Sequence, residues 1–266
     1  MAVLVVASKR DPAAQNIALA LTRLGNFHQT NTNGLFRSGE IFLKHVETDG
    51  IFTDRLDFEP APAVVIFASR HRSESNEPAL TVHWTGNSTG RADFGGKPKS
   101  LPPTDPPRLR AALLALDAAK ERRKLNYAVT LEATHHGPTE LGVPTLFVEL
   151  GSTEKEWNDQ EAAAAASEAI WAAATEPRAG KSAVGFGGGH YCNKQCAAIR
   201  NDGYAFSHIF SKYFFEEYDE ELVRTAYKRT FGGCQIAVID WKGIRGPDRS
   251  RLLEDLKQMN VEIVRV

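Results

Sequence analysis

Six consecutive residues, Ala63-Val64-Val65-Ile66-Phe67-Ala68, are apolar without a break. A β-type run with no polar alternation belongs in a strand buried on both faces, as at the centre of a parallel sheet. Parallel neighbours need crossover helices, and the chain supplies strand and helix signals in alternation. Residues 3–7 read as a first buried strand. Asp11-Pro12 then opens a helix to Leu24, with Asp11 as N-cap and Pro12 in the first turn, and Gly25 closes it. Further strands are expected at 41–46, 80–84, 127–131, 144–150, 183–186, 235–239 and 262–266. Helices are expected at 108–124, from a Thr153 cap through the alanine-rich 162–174, at 220–228 and at 248–259. Residues 203–209 fit neither period. The expected fold is α/β, a mostly parallel or mixed central sheet with helices on both faces.

At 266 residues, one large domain or two small ones can bury a proper core. No repeat and no linker divides the chain, so one domain is expected over 1–266. The connection 86–107 is rich in glycine and proline and exceeds the usual loop length, which predicts a mobile insertion. No apolar run approaches the roughly 20 residues that span a bilayer. Residues 1–8 lack a basic n-region and read as strand rather than signal peptide. Three cysteines, Cys192, Cys196 and Cys234, form no disulfide framework, which points to a reducing, cytoplasmic setting.

Net charge is −1, so no whole-protein attraction to nucleic acid is indicated. Charge is nonetheless uneven. Between Arg91 and Lys124 nine basic residues face four acids, whereas Glu216-Glu217-Tyr218-Asp219-Glu220-Glu221 is acidic. Either block reads equally as a solvated face.

The densest chemistry lies at Glu132-Ala133-Thr134-His135-His136-Gly137-Pro138, where a strand ends in a turn. Five of the eight histidines (His71, His135, His136, His190 and His208) stand near small or polar residues at expected strand ends, where open α/β sheets bind ligands. Imidazole and carboxylate are the usual ligands of zinc, which lowers the pKa of a bound water. Side chains alternate along a strand, so His135 and His136 are expected to face apart unless the loop bends, one ligating while the other donates a proton. The sequence holds no HExxH, GxSxG, Walker A or GxGxxG pattern, which argues against a helical zinc protease, a serine hydrolase, a P-loop enzyme and a dinucleotide enzyme. Cys192-Asn193-Lys194-Gln195-Cys196 has half the spacing of a structural zinc site, but no second half follows, and buried thiols are the expectation.

Four motifs in order resemble one family. They are Ser69-Arg70-His71-Arg72-Ser73 running on through Glu77 to Asn87, Glu132-Ala133-Thr134-His135-His136-Gly137-Pro138-Thr139, Glu149-Leu150-Gly151-Ser152, and Gly185-Phe186-Gly187-Gly188-Gly189-His190-Tyr191. Together they are similar to the archaeal and plant D-aminoacyl-tRNA deacylases of the second type, over nearly the whole chain. The resemblance implies a fold like that of nucleoside phosphorylases and peptidyl-tRNA hydrolases, zinc as cofactor and tRNA as partner. It also implies hydrolysis of the ester joining a D-amino acid to the terminal adenosine ribose, including D-amino acids whose amino group carries an aldehyde adduct. The matching polar residues are His71, His83, Glu132, His135, His136, Glu149 and His190. On our reading His71, His135 and His190 hold metal, and Glu132 is base or ligand. His136 protonates the leaving ribose oxygen, and Glu149 is the second catalytic carboxylate. His83, Lys97, Lys99, Arg122, Arg123 and Lys212 are expected to contact substrate or tRNA. A monomer is expected, with neither membrane nor DNA as partner. Two other classes share these features: a zinc amidohydrolase or peptidase on small acyl substrates, and a non-catalytic tRNA-binding module.

Overall fold

The structure is a computed structural model and describes residues 1–59, 61–177 and 179–266. Its first strand, β1 (Val3–Ser8), is buried throughout and leads into α1 (Pro12–Leu24). The Asp11 carboxylate accepts from Ala14 N at 3.0 Å, the N-cap the sequence predicts. The next segment folds as β2 (His28–Gln29), β3 (Leu35–Ser38) and β4 (Ile41–Val46). After it come β5 (Val64–Arg70), β6 (Ala79–Trp84), α2 (Pro106–Arg123), β7 (Ala128–Leu131) and β8 (Thr145–Gly151). The helical stretch after Thr153 is broken into α3 (Glu154–Trp157) and α4 (Gln160–Thr175) rather than continuous. Asp159 starts the second piece afresh, its carboxylate accepting from Glu161 N and Ala162 N.

Strand order in the first sheet is β2-β3-β4-β1-β5-β8-β6-β7. The centre, β4-β1-β5-β8, is parallel, but β6 runs antiparallel to β8 and carries β7 parallel to itself. The remaining chain forms β9 (Lys181–Phe186), α5 (Asn193–Asp202), β10 (Tyr204–Phe210), α6 (Glu220–Lys228), β11 (Ile236–Ile239), α7 (Gly246–Gln258) and β12 (Glu262–Arg265). Its strands make a second, wholly parallel sheet in the order β10-β9-β11-β12. Of the unassigned stretch 203–209, Gly203 caps α5 and the rest belongs to the fully buried strand β10; Ser207 and His208 inside it hide its period.

The two faces of the larger sheet differ. Alternation sends Val5, Ile66, Val82 and Val148 to one side, where they form a single core with Ile17 of α1, Leu113 of α2 and Ile170 of α4. On the other side Val65, Phe67 and Phe147 are covered by Ile51, in the short 3-10 turn Gly50–Phe52, and by loop residues such as Leu56 and Leu141. Helices flank both faces of the smaller sheet, with Cys196 and Ile199 of α5 on one side and Leu222 and Leu252 of α6 and α7 on the other. Among the described residues the larger sheet therefore keeps one face free of α-helices, and polar side chains can stand there beside Phe147.

Connection 86–107, expected to be mobile, is tied down. Asn87 pairs with Ser100 and Thr104 with Thr230 in isolated bridges, and Leu101 is buried. Asn87 Nδ2 donates to the Gly95 and Lys97 carbonyls at 2.9 and 3.1 Å. Length suggested mobility; these internal bonds replace the missing strand or helix partners.

Candidate active site

His83 and Glu149 share the helix-free face with Phe147. His83 pairs in register with Phe147 across β6 and β8, Thr81 pairs with Glu149, and the His83 ring stacks on Phe147 at 5.5 Å. Glu132 follows Leu131 at the end of β7 and so points to that face too, since Leu131 lies in the opposite core. The loop after β5 brings His71, and the loop after β9 brings His190. Backbone bonds sew the two sheets together at this point: Ala133 N to His190 O, Thr134 N to Ile209 O and Cys192 N to Leu131 O, each 2.9 Å.

Glu132 is the centre. Its carboxylate lies 3.2 Å from His71 Nδ1, 3.4 Å from His190 Nε2, and 3.8 Å from the Nε2 atoms of His83 and His135. Glu149 reaches His71 Nδ1 at 3.3 Å, His83 Nε2 at 3.6 Å and His136 Nε2 at 3.9 Å, and accepts from Thr81 Oγ1 at 3.3 Å. Both Glu132 oxygens and His83 Nε2 are buried with no hydrogen-bond partner. Native structures rarely leave such atoms unpaired, and a carboxylate least of all.

The tautomers explain what is missing. Nδ1 of His83, His135 and His136 faces a backbone carbonyl, at 3.2, 2.8 and 2.6 Å from Trp84 O, Ala133 O and Gly137 O. A carbonyl only accepts, so each Nδ1 carries the hydrogen and each Nε2 turns a lone pair inward. Backbone carbonyls orient metal-ligating histidines in this way. One ring nitrogen from each of His83, His135 and His136 lies within 4.8 Å of the others; Glu132, His135 and His190 form a second such group, and His71, Glu132 and Glu149 a third. Each of these groups could hold a cation.

His71 is held differently, Nδ1 toward both carboxylates and Nε2 3.0 Å from the Tyr191 hydroxyl. Burial opposes its charge, but Glu149 and Glu132 together hold its pKa above the ordinary histidine value. His83 is raised by the same balance, the two carboxylates outweighing burial. Burial pushes His135 well down, helped by the neighbouring rings, and lowers His136 too. Burial would raise Glu149, yet contacts from His136, His71 and His83 hold it well below the carboxylate range.

The adjacent histidines do not face apart. His136 adopts φ +49°, and this bend brings its ring to 4.4 Å from that of His135. A left-handed non-glycine residue costs on the order of 1–3 kcal/mol and is typical of strained functional loops.

A family model described as D-aminoacyl-tRNA deacylase matches residues 58–264. The chain belongs to that family. It is 38% identical to the D-aminoacyl-tRNA deacylase of Methanosarcina mazei, covering 98% of this chain and 91% of the relative, and 35% identical to that of Thermococcus onnurineus, covering 98% of each. The crystal structure of the conserved protein AF0625 superposes with a TM-score of 0.91 at 34% identity, covering 99% of this chain and 95% of the other.

Within this deacylase fold, His71, His83, Glu132, His135, His136, Glu149 and His190 meet in one cluster. His83, expected to touch substrate, is fully buried and sits among the inward-facing nitrogens. The basic residues do not gather there. Arg122 and Arg123 close α2, which packs on the opposite face of the larger sheet, and both pair with Glu168, Arg123 also with Glu161. Lys97 pairs with Glu140 and Lys99 with Asp219 at 3.1 Å. Lys212 lines a separate hollow with Gly188, Gly189 and Lys242, its ammonium 5.2 Å over Tyr213. Tyr191 and Thr81, not expected as site residues, also reach the cluster through His71 and Glu149; each stands within two residues of a histidine singled out in the sequence, the one signal they offer.

A cleft of about 450 Å³ opens onto the cluster and is lined by Ile51, Arg70, His71, Arg72, Phe94 and His136, with Asp49 and Glu149. Among the described residues no helix is long and apolar enough to cross a membrane.

Proposed function

We propose that this chain hydrolyses the ester between a D-amino acid and the terminal ribose of tRNA, in the cytoplasm where tRNA is charged, with zinc as its metal. The observation that carries the metal is Glu132: a buried carboxylate with no hydrogen-bond partner, 3.8 Å from the Nε2 atoms of His83 and His135, whose Nδ1 hydrogens are already spent on backbone carbonyls. His83, His135 and His136 form one group that would hold zinc, and Glu132 with His135 and His190 another, nitrogen and oxygen donors of the kind zinc prefers. Bound there, zinc supplies polarisation of the ester carbonyl and brings the ionisation of water toward neutral pH.

The chain's own groups do the rest. Water adds to the carbonyl carbon, the carbon–oxygen bond to ribose breaks, and one proton must travel from water to the departing oxygen. Glu149 lines the cleft and is positioned to take that proton. His71 touches Glu149 with one nitrogen and the Tyr191 hydroxyl with the other, which suits it to deliver a proton to the ribose oxygen. His136, the donor expected from the sequence, has Nδ1 committed to Gly137 O and Nε2 turned into the cluster. A binding module whose histidines only hydrogen-bond would not bury Glu132 unpaired, and the family favours tRNA over small acyl substrates.

Paired D- and L-tyrosyl-tRNA, with and without chelator, test the proposal. Release of the D-amino acid that chelator abolishes and zinc restores is expected. Equal cleavage of the L form rejects the substrate, and full activity after exhaustive chelation rejects the metal.

A further inference from the structure

Phe94 stands at the mouth of the cleft with 66% of its surface exposed. Exposed aromatic rings on loops normally belong to mobile tips, where an unpaired ring does little harm. This one is fixed. Its carbonyl accepts from Gly137 N at 3.0 Å, directly after the catalytic histidines. The following Gly95 lies at φ +84°, so close to the turn at Ile51 that a Cβ there would be 2.0 Å from Ile51 O. Beyond it, Lys97 N donates to Thr139 Oγ1 at 2.8 Å. The backbone at Phe94 and just after it is thus bolted to the loop that carries His135 and His136 and packed against Ile51, and the ring points outward unpaired.

Among the described residues lining the cleft, Phe94 is the one Phe, Tyr or Trp. In an aminoacyl-tRNA the scissile ester and the terminal adenine sit on the same ribose. When the ester carbonyl reaches the cluster, the base must therefore lie within one nucleoside of it, over the rim of the cleft. Aromatic side chains held rigid at such a place stack bases whatever the rest of the sequence. We infer that Phe94 is the platform on which the terminal adenine of tRNA stacks, positioning the ester against the histidine cluster. The inference rests on the proposed function and adds to it the residue that recognises the nucleoside half of the substrate.

Stacking is made alike in the ground and transition states, so its loss appears in KM rather than kcat. Phe94→Ala is expected to raise KM for D-aminoacyl-tRNA roughly tenfold to a hundredfold, equally for D-alanyl- and D-tyrosyl-tRNA, with Phe94→Trp restoring it. A binding assay reads the same contact without catalysis. The wild-type chain should bind a short RNA ending in adenosine more tightly than the same RNA ending in an abasic ribose, and F94A should lose that preference. An unchanged KM, a loss confined to the D-tyrosyl substrate (a contact with the amino acid instead), or no adenine preference in the wild type each overturns the inference. Failure of the wild type to deacylate would sink the proposed function, and the oligonucleotide comparison still judges Phe94 by itself.

Discussion

His208 looks in the sequence like His71, His135, His136 and His190 around Glu132, each beside small or polar residues near a strand end, and in the structure it is their opposite. His208 lies on β10 and is fully buried, with Nε2 2.9 Å from Pro102 O and Nδ1 3.1 Å from Thr134 Oγ1. Both nitrogens are satisfied, and burial, assisted by the charge of Arg229, lowers its pKa to about 4. It is a neutral strut joining the 86–107 connection to the active-site loop. His83 is buried just as deeply, but its Nε2 has no partner and its neighbours are two carboxylates. Burial alone does not separate a structural histidine from a ligand; hydrogen-bond saturation does.

Removing a member of the unsaturated group should cost function far more than fold. Glu132→Gln and His83→Ala are each expected to lower kcat/KM for D-aminoacyl-tRNA by at least about 10–100-fold and to bring zinc below one ion per chain in tag-free protein, read by elemental analysis. His208→Asn should leave the folded protein's zinc content intact. The contrast breaks if H208N loses metal as E132Q and H83A do.

Stability should show the reverse order. The pKa of His208 is depressed from 6.5 to about 4 in the folded chain, so the unfolded chain takes up a proton first as pH falls. Its contribution is complete above about pH 6.5 and is lost on acidification toward pH 4. The drop is about 3 kcal/mol, from about 1.4 kcal/mol per pH unit. Urea midpoints between pH 7 and pH 4 measure it, and a wild-type slope no steeper than that of H208N would contradict the strut.

The smallest effect concerns the basic end of α2. With Arg122 and Arg123 paired to α4 on the far face of the sheet, the double alanine variant should change KM for tRNA by less than about twofold and stability by about 1 kcal/mol or less, as exposed pairs do. A clear fall in the salt dependence of tRNA binding would return these residues to the interface.

Most strands, most helices and their caps were legible because local chemistry dictates them: apolar runs for β1, β5 and β8, and Asp11-Pro12 for the start of α1. Less legible was α4, where Asp159 competes as a second cap inside an otherwise helical stretch. Strand direction was not legible either. Nothing in Leu80 to Trp84 says that β6 runs against β8, yet that reversal is what sets His83 opposite Phe147 and beside Glu132. The arginines misled for a related reason. Charge density along the chain is visible, but which face of a sheet a helix covers is not.

Residue type and order alone determined the family, the α/β class and the identity of the polar side chains that meet, since periodicity, capping and motif order are properties of neighbouring residues. Only the tertiary structure decided which histidines present a bare nitrogen, which are already hydrogen-bonded, and which cations face the cleft. Those distinctions depend on partners dozens of residues away, Pro102 for His208 and Glu132 for His71 and His83. Long-range pairing of strands and loops supplies these partners, and no local pattern encodes it.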